Sequence, residues 1–178
     1  LLVARILGIG IATLDIINTV DGYPAEDSEV RAIHQRICRG GNATNTLVVL
    51  SQLGHCCAWA GVLANEPDAR LILDDLARYD MDTQACHHVP HGKMPTSYIL
   101  LNQRTGSRSI VHYRDLPEYS FADFCKVNLQ GFDWLHFEGR NVDETCLMLQ
   151  HAHTYCPNIP RSVEIENPRP GIEQLYRY

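Results

Sequence analysis

Short apolar or β-branched runs alternate with stretches of helical spacing along most of this chain, and that alternation limits the fold more than any other feature. The runs are residues 6–10, 56–63, 133–138 and 161–165; helical patterns occupy 42–53, 67–79 and 143–155. Strands separated by helices pair in parallel, and a parallel sheet is covered on both faces. The expected class is therefore α/β. Residues 15–20, 30–38, 96–102 and 107–113 break the rhythm, being β-prone with no helix between the members of each pair. Gln103-Arg104-Thr105-Gly106 reads as the turn of a hairpin. These pieces predict a smaller second sheet, a lid built from segments about 15–38 and 96–113 of one domain spanning residues 1–178. A short strand is also expected over 86–89. The last stretch, Gly171 to Tyr178, starts a helical pattern and ends without a cap.

Two glycines, Gly40 and Gly41, introduce the pattern at 42–53. Ala43, Leu47, Val48 and Leu50 form its apolar stripe, and Gly54 supplies a left-handed stop. Asn42 and Asn45 fall in the first turn, three residues apart and so on one helix face, beside backbone N–H groups that have no helical partner. A phosphate-cradling loop would follow its glycines with Lys and Ser or Thr, and this one does not. Neutral amides with free N–H groups suit hydroxyl ligands, which both donate and accept. The same residues also suit a plain Asn cap after a Gly turn.

Asp15 follows the first run closely, where ligands of open α/β sheets gather. Its carboxylate could accept from two neighbouring hydroxyls, or could simply sit in a turn. Asp27 belongs to the charged loop Glu26-Asp27-Ser28-Glu29. Arg108 follows the hairpin turn and suits a phosphate, with Arg104 and Arg114 as competitors. Glu138 ends a strand before Gly139-Arg140-Asn141, and is read either as a residue near metal or phosphate or as the ion-pair partner of Arg140. Cys86-His87-His88 with His91, and Cys146, His151, His153 and Cys156, lack the paired spacing of structural zinc sites, so no metal ligand is assigned.

The charge balance narrows the partners. The 178 residues carry a net charge of −6, which argues against nucleic acid or an anionic membrane surface as a partner. The opening apolar stretch, residues 6–14, is shorter than the roughly 20 residues that span a bilayer. Seven cysteines, irregularly spaced and odd in number, read as reduced thiols of a cytoplasmic protein.

The stretches "RGGNATNTLVVLSQLG" and "AGVLANE", with "LDIINTVDGYPAEDSEVRA", "TGSRSIVHYRDLPE" and "WLHFEGRN", resemble the PfkB, or ribokinase-like, carbohydrate kinase family. Within it they look most like the kinases of ketohexoses such as fructose. The resemblance implies a Rossmann-like αβα sandwich with a β-sheet lid that also joins two copies into a homodimer. It implies ATP and Mg²⁺ as cofactors and transfer of the γ-phosphoryl group to a sugar hydroxyl. On matching positions, Asp15, Gly41, Asn42 and Asn45 would hold the sugar with Asp27 adjoining it. Arg108 would approach the ATP phosphates and Glu138 would lie near metal and phosphates. Another sugar or a nucleoside as acceptor, or a non-catalytic sugar-binding or dimerising role, are the alternatives.

The family's second signature, Asp-Thr-x-Gly-Ala-Gly-Asp, carries the catalytic base and does not occur here. No catalytic residue is therefore assigned within residues 1–178, and the base is expected beyond Tyr178. The chain is expected to be the N-terminal part of a longer kinase and to be inactive alone.

Overall fold

The computed structural model describes residues 2–178. Four strands make the main sheet: β1 (Arg5–Ile9), β4 (Cys56–Ala60), β9 (Trp134–Glu138) and β10 (Arg161–Glu164). They lie in the order β10-β9-β1-β4, and every neighbouring pair is parallel. Three helices of this layer are α1 (Asn42–Gln52), α2 (Pro67–Ala77) and α4 (Val142–Tyr155). Alternate strand residues point to opposite faces. Leu7, Ile9, Leu135 and Phe137 accordingly pack with Met148, Leu149 and Ala152 of α4. Ile6 and Trp59 pack on the other side with Leu47 and Val48 of α1 and Ile72 and Leu76 of α2. Fully burying each such side chain is worth about 1.5–3 kcal/mol, so both helix layers are fastened by transfer free energy rather than by helix propensity.

A second four-stranded sheet holds β2 (Thr13–Val20), β3 (His34–Gly40), β7 (Lys93–Asn102) and β8 (Arg108–Asp115), in the order β3-β2-β7-β8. β2 pairs antiparallel with β3 and parallel with β7, and β7 pairs antiparallel with β8. The segments that break the sequence alternation are thus the ones that form it. Its hairpin closes at Gly106, where φ is +70°, with Asn102 Oδ1 accepting from the Arg104 N–H at 2.9 Å.

Several boundaries differ from the sequence reading. Residues 56–63 are not one strand: the chain turns at Gly61, and β5 (Val62–Ala64) leaves the main sheet to pair with β6 (His87–Val89). Residues 30–33 are not strand, because pairing of β3 with β2 starts at His34 opposite Thr19. Buried Thr44 takes a place in the α1 stripe that was expected of Leu50, which is only half-buried. Two short helices were not anticipated, α3 (Phe121–Phe124) and η1 (Leu129–Gly131). The first carries a readable start signal: Ser120 Oγ accepts from the Asp123 N–H at 3.1 Å.

The helical pattern that starts at Gly171 is present as a 3₁₀ helix, η2 (Ile172–Arg177), with Tyr178 at its C-cap. Tyr178 is half-buried against the α4 side of the core, with its ring 5.8 Å from that of His153. That apolar contact gives the helix an anchor that no capping residue in the sequence announces.

Candidate active site

The C-terminal end of β1, the start of β2 and the start of α1 converge at one point. Gly41 is the N-cap of α1 and has no side chain with which to cap it. The cap comes from β9 instead. Glu138 Oε2 accepts from the N–H of Ile11 at 3.0 Å and from that of Ala43, in the first turn of α1, at 3.4 Å. A helix start favours a carboxylate because of its free N–H groups and the helix dipole. Glu138 is only 5% exposed. Burial raises its pKa above the ordinary carboxyl value, against the opposing pull of the Ile11 bond, the Arg140 charge and the Ala43 bond. The ion pair anticipated with Arg140 is long, 3.8 Å, and Arg140 also reaches Glu118 at 3.3 Å. Glu138 therefore binds backbone first and Arg140 second.

Asp15 does not sit in a turn after β1. It is a strand residue of β2, directly opposite Cys38 of β3 and beside Ser97 of β7. Thr13 Oγ1 donates to its Oδ1 at 2.9 Å. The carboxylate lies over Gly40: a Cβ there would collide with Asp15 Oδ2 and stand 2.5 Å from Thr13 Oγ1. Gly41 follows with φ +103°, a left-handed value that disfavours other residues, and a Cβ there would strike the Ile11 carbonyl oxygen. The two glycines let the chain pass between the Asp15 carboxylate and the β1–β2 loop.

The two asparagines take different partners. Asn42 Nδ2 donates to Glu164 Oε1, at the end of β10, at 3.3 Å. Asn45 Oδ1 accepts from Arg39 Nη1, on β3, at 2.8 Å. Three-residue spacing places both in the first turn, yet one amide is drawn to the main sheet and the other to the second. Asp27 lies apart in the exposed β2–β3 loop, with φ +55° and no hydrogen bond to the other candidates. Tyr178, the residue beyond which the base is expected, is no part of the cluster: it packs by α4, against His153.

The three hairpin arginines differ in their partners. Arg104 is paired with Asp21 and Arg114 with Glu118, the latter at 2.7 Å. Arg108 is exposed and has no ion-pair partner among the described residues. The register Leu101↔Arg108 and Ser97↔His112 puts Arg108 on the same sheet face as Asp15. It stands four residues along β8 from His112, or about 13 Å.

Four residues near the site were not singled out from sequence: Arg39, Glu164, Ser97 and His112. Ser97 Oγ and His112 Nδ1 are 3.2 Å apart. Burial, followed by the charges of Arg140 and Arg114, holds the imidazole below its ordinary pKa, while Asp15 pulls it up. No local pattern marks these positions, since each is brought in by strand register or by a partner far along the chain. Among the described residues no group of three or more His, Cys, Asp or Glu could hold a metal ion, and all seven cysteines are free thiols.

Comparison with known proteins agrees with this architecture. Residues 3–160 match the pfkB family carbohydrate kinases. The chain is 42% identical over 181 residues to ketohexokinase of Mus musculus, covering 98% of this chain and 61% of that protein. It superimposes on the ribokinase of Arabidopsis thaliana complexed with ribose and ATP, with TM-score 0.76 and 12% identity over 98% of this chain and 57% of that one. The ribokinase of Cryptococcus neoformans in complex with ADP gives TM-score 0.71 and 17% identity over 94% of this chain and 50% of that one. The two ribokinases speak for the fold alone. The chain spans about three fifths of the mouse protein's length.

Proposed function

The chain belongs to the pfkB family of carbohydrate kinases, and from that premise we propose that it supplies the acceptor-holding part of an enzyme that phosphorylates a ketohexose such as fructose at the expense of ATP. One observation carries the reading: the Asp15 carboxylate is seated against Gly40 at the entrance to α1, the helix whose first turn carries Asn42 and Asn45. An ionised carboxylate only accepts hydrogen bonds, so it suits two sugar hydroxyls that donate. Gly41 lets the backbone approach the ligand, and Asp27 would adjoin the sugar from the β2–β3 loop.

The nucleotide would meet this chain through Arg108, whose unpaired guanidinium suits a phosphate. Glu138 would lie on the phosphate side of the sugar while holding the β1–β2 loop and α1 in place. Mg²⁺ would enter as the companion of ATP, held chiefly by the phosphates, with the Glu138 carboxylate on that side. ATP bound here would supply the phosphoryl group; the residues of this chain bind and orient the acceptor. The 178 residues contain no Asp-Thr-x-Gly-Ala-Gly-Asp stretch, and by themselves should show no transfer.

We also propose a homodimer joined through the second sheet. On the face away from Asp15, Ile37, Ile16, Tyr98 and Val111 stand in register across all four strands. Ile37, Tyr98 and Val111 are exposed, and an uncovered apolar row on a sheet with two free edges invites a partner. No helix of the described residues is long and apolar enough to cross a membrane, and a cytoplasmic sugar kinase is the setting we favour.

The test is ATP consumption by the intact protein with fructose, other ketoses, ribose and adenosine. Selective turnover of a ketohexose is expected. Turnover with ribose or adenosine alone moves the acceptor to that class, and no turnover with any of them overturns the kinase reading.

A further inference from the structure

Arg39 is a charged residue of β3, yet its side chain is only 6% exposed. Nε donates to Asp75 Oδ2 of α2 at 2.7 Å, and Nη1 donates to Thr44 Oγ1 at 2.9 Å and to Asn45 Oδ1 at 2.8 Å, both on α1. Thr44 Oγ1 in turn donates to the Gly40 carbonyl at 2.9 Å. One guanidinium thus joins a strand of the second sheet to two helices of the main layer, at the start of α1.

Building on the acceptor-site reading above, we propose that Arg39, steadied by Asp75, is a positioning residue that fixes which end of the Asn45 amide faces the ligand. A guanidinium has donors and no acceptor, so the amide atom turned toward it must be oxygen. The Asn45 Nδ2 group is then left outward, exposed, with no partner among the described residues. Asn42 is fixed the other way round: its Nδ2 donates to the Glu164 carboxylate, leaving its own oxygen free to accept. The helix entrance so presents an acceptor at Asn42, a donor at Asn45 and an acceptor-only carboxylate at Asp15. A ligand that meets all three must both donate and accept, as a run of neighbouring hydroxyls does and a phosphate or a carboxylate does not. Lysine could not replace Arg39, because a single ammonium lacks the planar fork that reaches α1 and α2 together.

Calorimetry with D-fructose and with D-ribose, steady-state kinetics for sugar and ATP, and thermal melts test this in the intact protein. The set is wild type, Arg39→Met, Arg39→Lys and Asp75→Asn. Loss of one oriented hydrogen bond predicts a rise of about tenfold in the sugar Kd for Arg39→Met. Arg39→Lys should stay within about twofold of Arg39→Met, and Asp75→Asn should rise about threefold by the same reasoning. The KM for ATP should move less than about twofold in all three. A folded Arg39→Met that binds sugar like the wild type, or that weakens sugar and ATP equally, overturns the proposal. If Arg39→Met does not fold, Asp75→Asn is judged by the same criteria. A wild type that binds neither sugar removes the acceptor-site reading and this inference together; a wild type that binds while the variants are unaffected removes this inference alone.

Discussion

The Asp15 carboxylate rests on Gly40, with Asp15 Cγ 2.8 Å from the point a Gly40 Cβ would occupy. Strand β2 and the approach to α1 can come this close only because residue 40 has no side chain. Gly40→Ala should therefore push Asp15 aside rather than merely crowd it. The expected result is a stability loss of about 1–3 kcal/mol. Sugar affinity should fall about ten- to a hundredfold, and calorimetry beside a thermal melt reads both.

Asp15→Asn separates charge from shape. The amide keeps the size and one acceptor but turns the other into a donor. A hydrogen bond to a charged group contributes about 1.5–3 kcal/mol, so sugar binding should weaken about ten- to a hundredfold while ATP binding hardly changes. The fold should shift by about 1 kcal/mol or less. A folded Asp15→Asn protein that binds sugar normally would reduce the α1 entrance to a structural cap.

Glu138 gives a pH prediction with an unusual sign. Its pKa is raised by burial, so the folded chain holds the proton more tightly than the unfolded one. The contribution of this group to stability is full below the ordinary carboxyl value of about 4 and is lost as pH rises through the raised value. Glu138→Gln cannot titrate, so its deficit relative to wild type should narrow from pH 4 to pH 7 in denaturant melts. Glu138→Ala leaves the Ile11 and Ala43 N–H groups without their acceptor and should cost about 1–3 kcal/mol more than Glu138→Gln.

Arg108→Ala, tested in the intact protein, should raise the KM for ATP several-fold more than that for sugar, since Arg108 is the hairpin arginine with no ion-pair partner among the described residues. Equal effects on both, or none, would leave it a surface charge.

Val111→Glu addresses assembly. Val111 is 70% exposed at the end of the apolar row, so a carboxylate there should leave the fold intact and turn the proposed dimer into a monomer in light scattering. A wild type that is already monomeric would refute the sheet-to-sheet contact.

Much of this molecule was legible in sequence because its strongest signals are local. The alternation of runs announced the parallel sheet, the turn at Gly106 announced the β7–β8 hairpin, and Gly40-Gly41 announced the start of α1. Asp15 was legible as the head of an extended piece of the second sheet, whereas its neighbours Cys38 and Ser97 were not, since strand pairing is a register fact that no window of residues contains. Arg39 was passed over for a similar reason: its partner Asp75 lies 36 residues away on a different element. The break at Gly61 was missed because an apolar run looks the same whether its residues stay in one sheet or cross to another.

The cap of α1 has a consequence for the order of assembly. Ala43 must wait for a carboxylate 95 residues further along the chain. At a synthesis rate of about 5–20 residues per second, that is a delay of roughly 5–20 s on the ribosome. Until β9 emerges and docks, the first turn of α1 has no carboxylate to quench its N–H groups and should fray. The entrance to α1 is then among the last parts of this region to set, and a nascent chain halted short of Glu138 should expose it to proteases.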